Sequence, residues 1–296
     1  MMTLYLLEIK IVDQNTAQKK SNPLSQWFRQ PKIFVKLPSG GTYYAQGALD
    51  KSSTGEYPVY AMTAKDELMF KTPDALLSGQ STVEVIQSCI PAIQDAWLMP
   101  SLDIDAALIA IRVATYGENM AVAANCPHCN AENDYDINLV NWLEHINSWK
   151  FAPDVDLAPL TIVVRPYTYR ELSQTSLKTL EHQRIFNVIN NEELSDEQKI
   201  EKFGNSFVKL TSLTVDIIAG CVEKIITPDG EVTDLDHIKE FVANSPKDVF
   251  DKISAHVNEM KKNIELPIQH VACNSCTKEF DMPVTMDQSN FFGVGS

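Results

Sequence analysis

The chain has 296 residues, 44% of them hydrophobic and 22% charged, with a formal net charge of −14. This is the composition of an ordinary globular protein and excludes a low-complexity or disordered chain. The excess of carboxylates argues against a protein whose main task is gripping nucleic acid, because phosphate binding depends on Lys and Arg.

The first residues, Met1 to Ile11, are apolar but carry Glu8 and Lys10. The run is too short and too charged for a membrane span, and it lacks the basic start and small-residue cleavage site of an export signal. A strand is expected there, followed by a polar stretch from Asp13 to Asn22 and then Trp27 and Phe28, so residues 1–30 read as an N-terminal strand and arm. A chain without an export signal is expected to meet a reducing cytosol, where paired thiols read as metal ligands before disulfides.

From Lys32 the pattern predicts a hairpin, with Ile33 to Leu37 as one strand, Pro38-Ser-Gly-Gly41 as the turn and Thr42 to Tyr44 as the return. Tyr57 to Met62 is a further strand. Thr63 is placed to cap a helix with acidic residues in its first turn. Val83, Ile86 and Ile90 have helical spacing, with Cys89 beside them as a small buried hydrophobe. Asp105 to Tyr116 reads as a core helix stopped by Gly117, with Arg112 reaching out to solvent. Val140 to Trp149 is a short amphipathic helix, Pro153 to Pro159 a linker and Leu160 to Arg165 a strand. Capping boxes at Thr168/Glu171 and Ser195/Gln198 open two helices, running to about Val188 and Ile226, which read as an antiparallel hairpin. Thr227-Pro-Asp-Gly230 is a turn. Asp234 to Ala243 and Pro246 to Lys262 are two more helices.

The most specific signal is a pair of Cys-x-x-Cys motifs, Cys126-Pro-His-Cys129 and Cys273-Asn-Ser-Cys276. Each follows an apolar strand-like run, and each is followed by an acidic residue at the third position (Glu132, Glu279) and another at the fifth (Asp134, Asp281). Two residues between paired cysteines let a tight turn present both thiolates to one ion. Two matched copies therefore predict one structural zinc held by Cys126, Cys129, Cys273 and Cys276, a four-cysteine ribbon assembled from distant halves. A thioredoxin-like redox centre fits two copies between strands poorly, the spacing leaves an iron–sulfur cluster open, and four equivalent cysteines leave no vacant position for catalytic zinc. His128 and His270 read as bystanders to the site. The residues flanking the knuckles offer one Lys against five carboxylates, which disfavours a nucleic-acid-binding ribbon. Tyr135 and Phe280 read as packing beneath the knuckles.

No phosphate loop, dinucleotide fingerprint, His-Glu-x-x-His or Gly-x-Ser-x-Gly motif is present, so an enzyme is disfavoured. The acidic cluster Glu192, Glu193, Asp196 and Glu197 reads as a solvated helix connection.

Four segments occur in a definite order: Val35-Lys-Leu-Pro-Ser-Gly-Gly; Val59-Tyr-Ala-Met-Thr-Ala-Lys-Asp-Glu followed by Thr72-Pro-Asp-Ala-Leu-Leu-Ser-Gly and Gln87-Ser-Cys-Ile; Ala110-Ile-Arg-Val-Ala-Thr-Tyr-Gly; and Cys126-Pro-His-Cys-Asn-Ala-Glu-Asn. Together they resemble the baseplate hub and hub-assembly proteins of T-even-type contractile-tailed bacteriophages, over residues 31–140 plus the second Cys-x-x-Cys. The resemblance implies a non-enzymatic structural or assembly protein, in the virion tail baseplate or in the host cytoplasm during assembly. It implies hub and tail proteins as partners, with the tape-measure protein as a further one; the acidic charge and the lack of a spanning segment give the expectation of no nucleic acid and no membrane. A tape-measure or tail-assembly chaperone is the alternative it leaves open, and a zinc-ribbon nucleic-acid-binding module is the more distant one. Phe291, Phe292 and the helical hairpin are the segments expected to dock, if they do not pack on their own domain.

The expected fold is α+β: a small, mostly antiparallel β/α body over 31–158 and 264–296, stapled by the split zinc ribbon, with a mainly helical insertion over 159–263.

Overall fold

The 16 residues from Ser101 to Tyr116 form a helix that is apolar almost all round, and every residue from Ala106 to Ile111 is fully buried. A helix without a polar face has to sit inside a fold, and the first half of the chain is built around this one. The computed structural model describes residues 22–24, 27–71, 79–148, 150–174, 176, 195–263, 267–282 and 291–292.

In chain order, strands β1 (Pro31–Lys36) and β2 (Glu56–Tyr60) are followed by helices α1 (Ala64–Phe70) and α2 (Gln80–Cys89), a short 3-10 helix (Ala96–Leu98) and the long helix α3 (Ser101–Tyr116). Strands β3 (Asn119–Asn125) and β4 (Glu132–Asn138) form the first cysteine-bearing hairpin and lead into α4 (Leu139–Ser148). Then come β5 (Asp154–Leu157), β6 (Leu160–Val164), α5 (Asp196–Gly220), β7 (Val222–Thr227), β8 (Gly230–Val232), α6 (Leu235–Asn244) and α7 (Lys247–Asn263). The second cysteine-bearing hairpin, β9 (Gln269–Ala272) with β10 (Glu279–Met282), follows. All strand pairs among the described residues are antiparallel. Among the described residues no helix is long and apolar enough to cross a membrane.

Two apolar clusters organise these elements. The first gathers β1, β2, α1 to α4 and the bases of both cysteine hairpins around α3, and it includes Met282, Phe291 and Phe292. The second lies between the four-stranded sheet β5-β6-β7-β8 and the helices α5, α6 and α7, with Ile162, Val222, Ile238 and Ile253 at its centre. Tyr169 ties the segment after β6 to the first cluster. Its N–H donates to the Met99 carbonyl at 2.8 Å, and its ring stacks on Trp97 at 5.7 Å.

Helix starts follow local chemistry. Thr63 and Asp66 form a reciprocal capping box on α1, Thr168 and Glu171 form another, and Asp234 caps α6. Gly117 ends α3 with φ of 98°, a backbone setting that suits glycine.

Several expectations are corrected. The partner of β1 is Glu56–Tyr60, while Thr42 to Tyr44 lies in a long loop. The turn Pro38–Gly41 is present but serves another purpose. Ser39 donates through its N–H (2.8 Å) and hydroxyl (2.6 Å) to Asp103, buried in the first turn of α3, and Tyr44 adds a hydroxyl at 2.9 Å. Gly41 suits the turn because its φ is 77°, and a Cβ there would also stand 3.0 Å from the Tyr57 hydroxyl.

Arg112 does not reach solvent. It is 5% exposed, donates from Nη1 to the Phe291 carbonyl, and lies over the rings of Tyr116 and Phe291 at 5.4 and 5.1 Å. Tyr116 lies one turn on in the same helix and Phe291 is remote in sequence; the Phe291 carbonyl and two aromatic faces replace water around the cation, and Nε is buried without a hydrogen-bond partner. Phe291 and Phe292 are buried on their own body, with Phe292 stacked on Phe70 at 4.4 Å, so neither is a free docking element.

Helix α5 stops at Gly220, and Val222–Thr227 becomes a strand whose β-branched residues pair with β6. The expected linker Pro153 to Pro159 contains β5. The helix expected from Thr168 is seen over 169–174 and at 176; its remainder to Val188, and therefore the helical hairpin, lies outside the described residues, as do the expected N-terminal strand and the segment 72–78. Residues 1–30 form a unit by themselves, in which Trp27 and Phe28 are exposed.

Candidate metal centre

Each cysteine pair sits at the tip of a short antiparallel hairpin, and the two tips share one backbone geometry. The Cys126 N–H donates to the Ala131 carbonyl (2.9 Å) and the Asn130 N–H to the Cys126 carbonyl (2.8 Å). In the second tip the Cys273 N–H donates to Lys278 (3.0 Å) and the Thr277 N–H to Cys273 (2.9 Å). The residue after each second cysteine, Asn130 or Thr277, has φ of 59°. That left-handed setting is tolerated by Asn and strained for β-branched Thr. In both tips an N–H two residues on, from His128 or Ser275, donates to the first sulfur at 3.4 Å.

The halves meet crosswise. Cys126 Sγ lies 3.7 Å from Cys276 Sγ, and Cys129 Sγ lies 3.6 Å from Cys273 Sγ, with all four sulfurs within 4.8 Å of one another. A disulfide would need about 2.05 Å, and all four cysteines are free thiols. Four thiolates held about 2.3 Å from one tetrahedral ion stand about 3.8 Å apart, so the cross pairs match the edges of such a tetrahedron. The donor set fits a structural metal. Cys126 and Cys273 are buried, while Cys129 is exposed and Cys276 half-buried.

The hydrogen bonds around the sulfurs are unequal. The N–H groups of Cys276 and Ser275 and the neighbouring thiols hold the Cys273 thiol down to about 6 against the cost of burial. At Cys129 the Ala131 backbone opposes, but desolvation and the three surrounding sulfurs win and push it up to about 12. Four thiols at this spacing share their protons unevenly, and a cation among them relieves that repulsion.

The packing beneath the site follows expectation. The Tyr135 and Phe280 rings meet edge to face at 6.1 Å, and the Tyr135 hydroxyl donates to the Ala272 carbonyl at 3.1 Å. His128 and His270 are absent from the ligand group; His270 Nδ1 lies 2.5 Å from Asp281 Oδ1, its register partner across β9–β10.

Two polar elements escaped sequence reasoning. One is the Asp103 anchor of the Pro38–Gly41 turn. Burial pushes its carboxyl up to about 6, opposed by the Ser39 and Tyr44 donors. The other is Asn133, whose side chain touches both knuckles. Its signal was available, because aligning the two motifs puts Asn133 opposite Phe280, a polar residue where the other copy packs an aromatic.

A family model described as T4 bacteriophage base plate protein matches residues 30–293. Searches of curated proteins and of solved structures return no match.

Proposed function

The chain belongs to the T4 bacteriophage base plate protein family, and from that premise we propose that it is a non-enzymatic structural or assembly protein of the baseplate hub, docking on other tail proteins. The observation that carries this reading is the family match, which runs from β1 through both cysteine hairpins and the segment between them. The family supports a structural role, a place in the virion tail and association with other baseplate proteins; assignment to the hub rests on the ordered segments between Val35 and Asn133.

Within this reading, Cys126, Cys129, Cys273 and Cys276 hold one structural zinc. Bound there, the ion closes the long chain excursion between the hairpins, a constraint that favours the folded state. The same logic divides the chain into a body over 31–158 and 264–296 and an insertion over 159–263, with 1–30 as an arm. The two apolar clusters support that division, and the second is built almost wholly from the insertion with β5 added.

Co-expression with hub, tape-measure and other tail proteins, followed by size-exclusion chromatography, tests the docking claim. A stable complex with a hub protein is expected. A chain that elutes alone with every tail component overturns it, and capture by the tape-measure protein alone replaces the hub reading with the chaperone one.

A further inference from the structure

The two knuckles are related by an approximate repeat, and the repeat is broken at one buried residue. Asn133 on β4 and Phe280 on β10 each stand seven positions after the first cysteine of their motif. Phe280 packs against Tyr135, as an apolar residue beneath a hairpin should. Asn133 is 5% exposed and turns toward the sulfurs.

Its amide makes four contacts that span the halves, the longest of them Oδ1 to Cys273 Sγ at 3.8 Å. Nδ2 donates to its own knuckle at the Ala131 carbonyl (2.8 Å) and reaches Cys273 Sγ of the other knuckle at 3.6 Å. Oδ1 accepts the Asn274 N–H at 2.9 Å. The Asn274 N–H needs an acceptor, which fixes the amide orientation and aims Nδ2 at the sulfur. Cys273 Sγ thus receives a side-chain amide donor in addition to the Ser275 N–H, whereas Cys126 Sγ is approached by the His128 N–H of its own tip and by Cys276 Sγ, with no side-chain amide among the described contacts. A donor aimed at a thiolate sets its direction and stabilises its charge, and groups of this kind govern how tightly a metal is kept.

We propose that Asn133 is the positioning residue of the metal centre, holding Cys273 and the Asn274 N–H of the second knuckle in register with the first so that the two halves close on one ion. The proposal rests on the reading of the four cysteines as a zinc site. Asn133 binds no metal itself; it acts through Cys273.

The test uses the full chain loaded with zinc, and in parallel with cadmium-113. Asn133→Leu removes all four contacts at similar volume. Asn133→Asp keeps the oxygen that accepts from Asn274 and loses both Nδ2 donations, to the Ala131 carbonyl and to the sulfur. Asp134→Asn, on an exposed neighbour, controls for charge. Zinc release to a chromogenic chelator is expected to quicken by about tenfold in both Asn133 variants, within the range seen when such supporting groups are lost. The cadmium-113 resonance should move in both, and neither should change in Asp134→Asn. If Asn133→Leu fails to fold, Asn133→Asp alone decides. Wild-type release and an unmoved resonance in a folded Asn133 variant overturn the proposal. A wild-type chain that takes up no metal overturns the zinc reading instead.

Discussion

If one ion joins the two hairpins, substituting a cysteine in either should have the same consequence, and substituting both should add almost nothing. The perturbations are Cys126→Ser, Cys273→Ser and their combination. The cross pairs at 3.7 and 3.6 Å place every sulfur against a sulfur of the other hairpin, so losing one breaks the tetrahedron for both. In isolated small sites structural zinc contributes on the order of 10 kcal/mol. A body with its own apolar cluster keeps part of its fold without the ion, so each single change should remove several kcal/mol from a total of about 5–15. The double variant should then match either single one, giving a coupling energy about as large as one single loss. Urea unfolding followed by tryptophan fluorescence reads the cycle, since Trp142 is buried directly after β4. Losses that add within about 0.5 kcal/mol would show two independent sites and refute the shared centre.

Chelation of the zinc-loaded native protein should expose Cys126, Cys129, Cys273 and Cys276 to a thiol reagent, while fully buried Cys89 and Cys221 stay unreactive; reaction of all six native thiols at one rate would contradict the fold. Thr277→Asn gives the strained φ of 59° the residue found in the first knuckle, and should raise the unfolding midpoint by the equivalent of up to about 1 kcal/mol. Arg112→Ala strips a buried donor from the Phe291 carbonyl and should cost about 1–3 kcal/mol in urea unfolding, with loss of protection at Phe291 and Phe292 in hydrogen exchange. Asp103 carries the pH prediction. Its folded value of about 6 lies above the ordinary 3.8, so the fold holds the proton more tightly than the unfolded chain. Its share of stability is present below about pH 4 and lost as pH rises through 6. That amounts to up to about 3 kcal/mol at about 1.4 kcal/mol for each pH unit, and a flatter profile in Asp103→Asn, at matched metal content, is the check.

What the sequence displayed was local. Cys-x-x-Cys spacing, the Thr63/Asp66 and Thr168/Glu171 boxes and the unbroken apolar run of α3 each contain their own cause within a few residues, and each reappears in the structure. What it hid was settled at a distance. Arg112 finds its carbonyl at Phe291 and Ser39 its carboxylate at Asp103, and no periodicity signals either. β1 pairs across a long loop because the Pro38–Gly41 turn is pinned to α3 instead of closing a hairpin. Ile225 and Ile226 extend a helical stripe equally well on paper; the neighbouring strand β6 makes them part of a sheet. At the candidate metal centre the cluster of four sulfurs was legible because each pair repeats, and Asn133 was overlooked because it departs from the repeat.

A cryo-EM map of the assembled tail decides whether the protein holds a structural place in the phage baseplate. Baseplate density is expected to fit the α3-centred body with its two cysteine hairpins, in contact with hub proteins. A complete baseplate map in which every density is explained by other chains would contradict it.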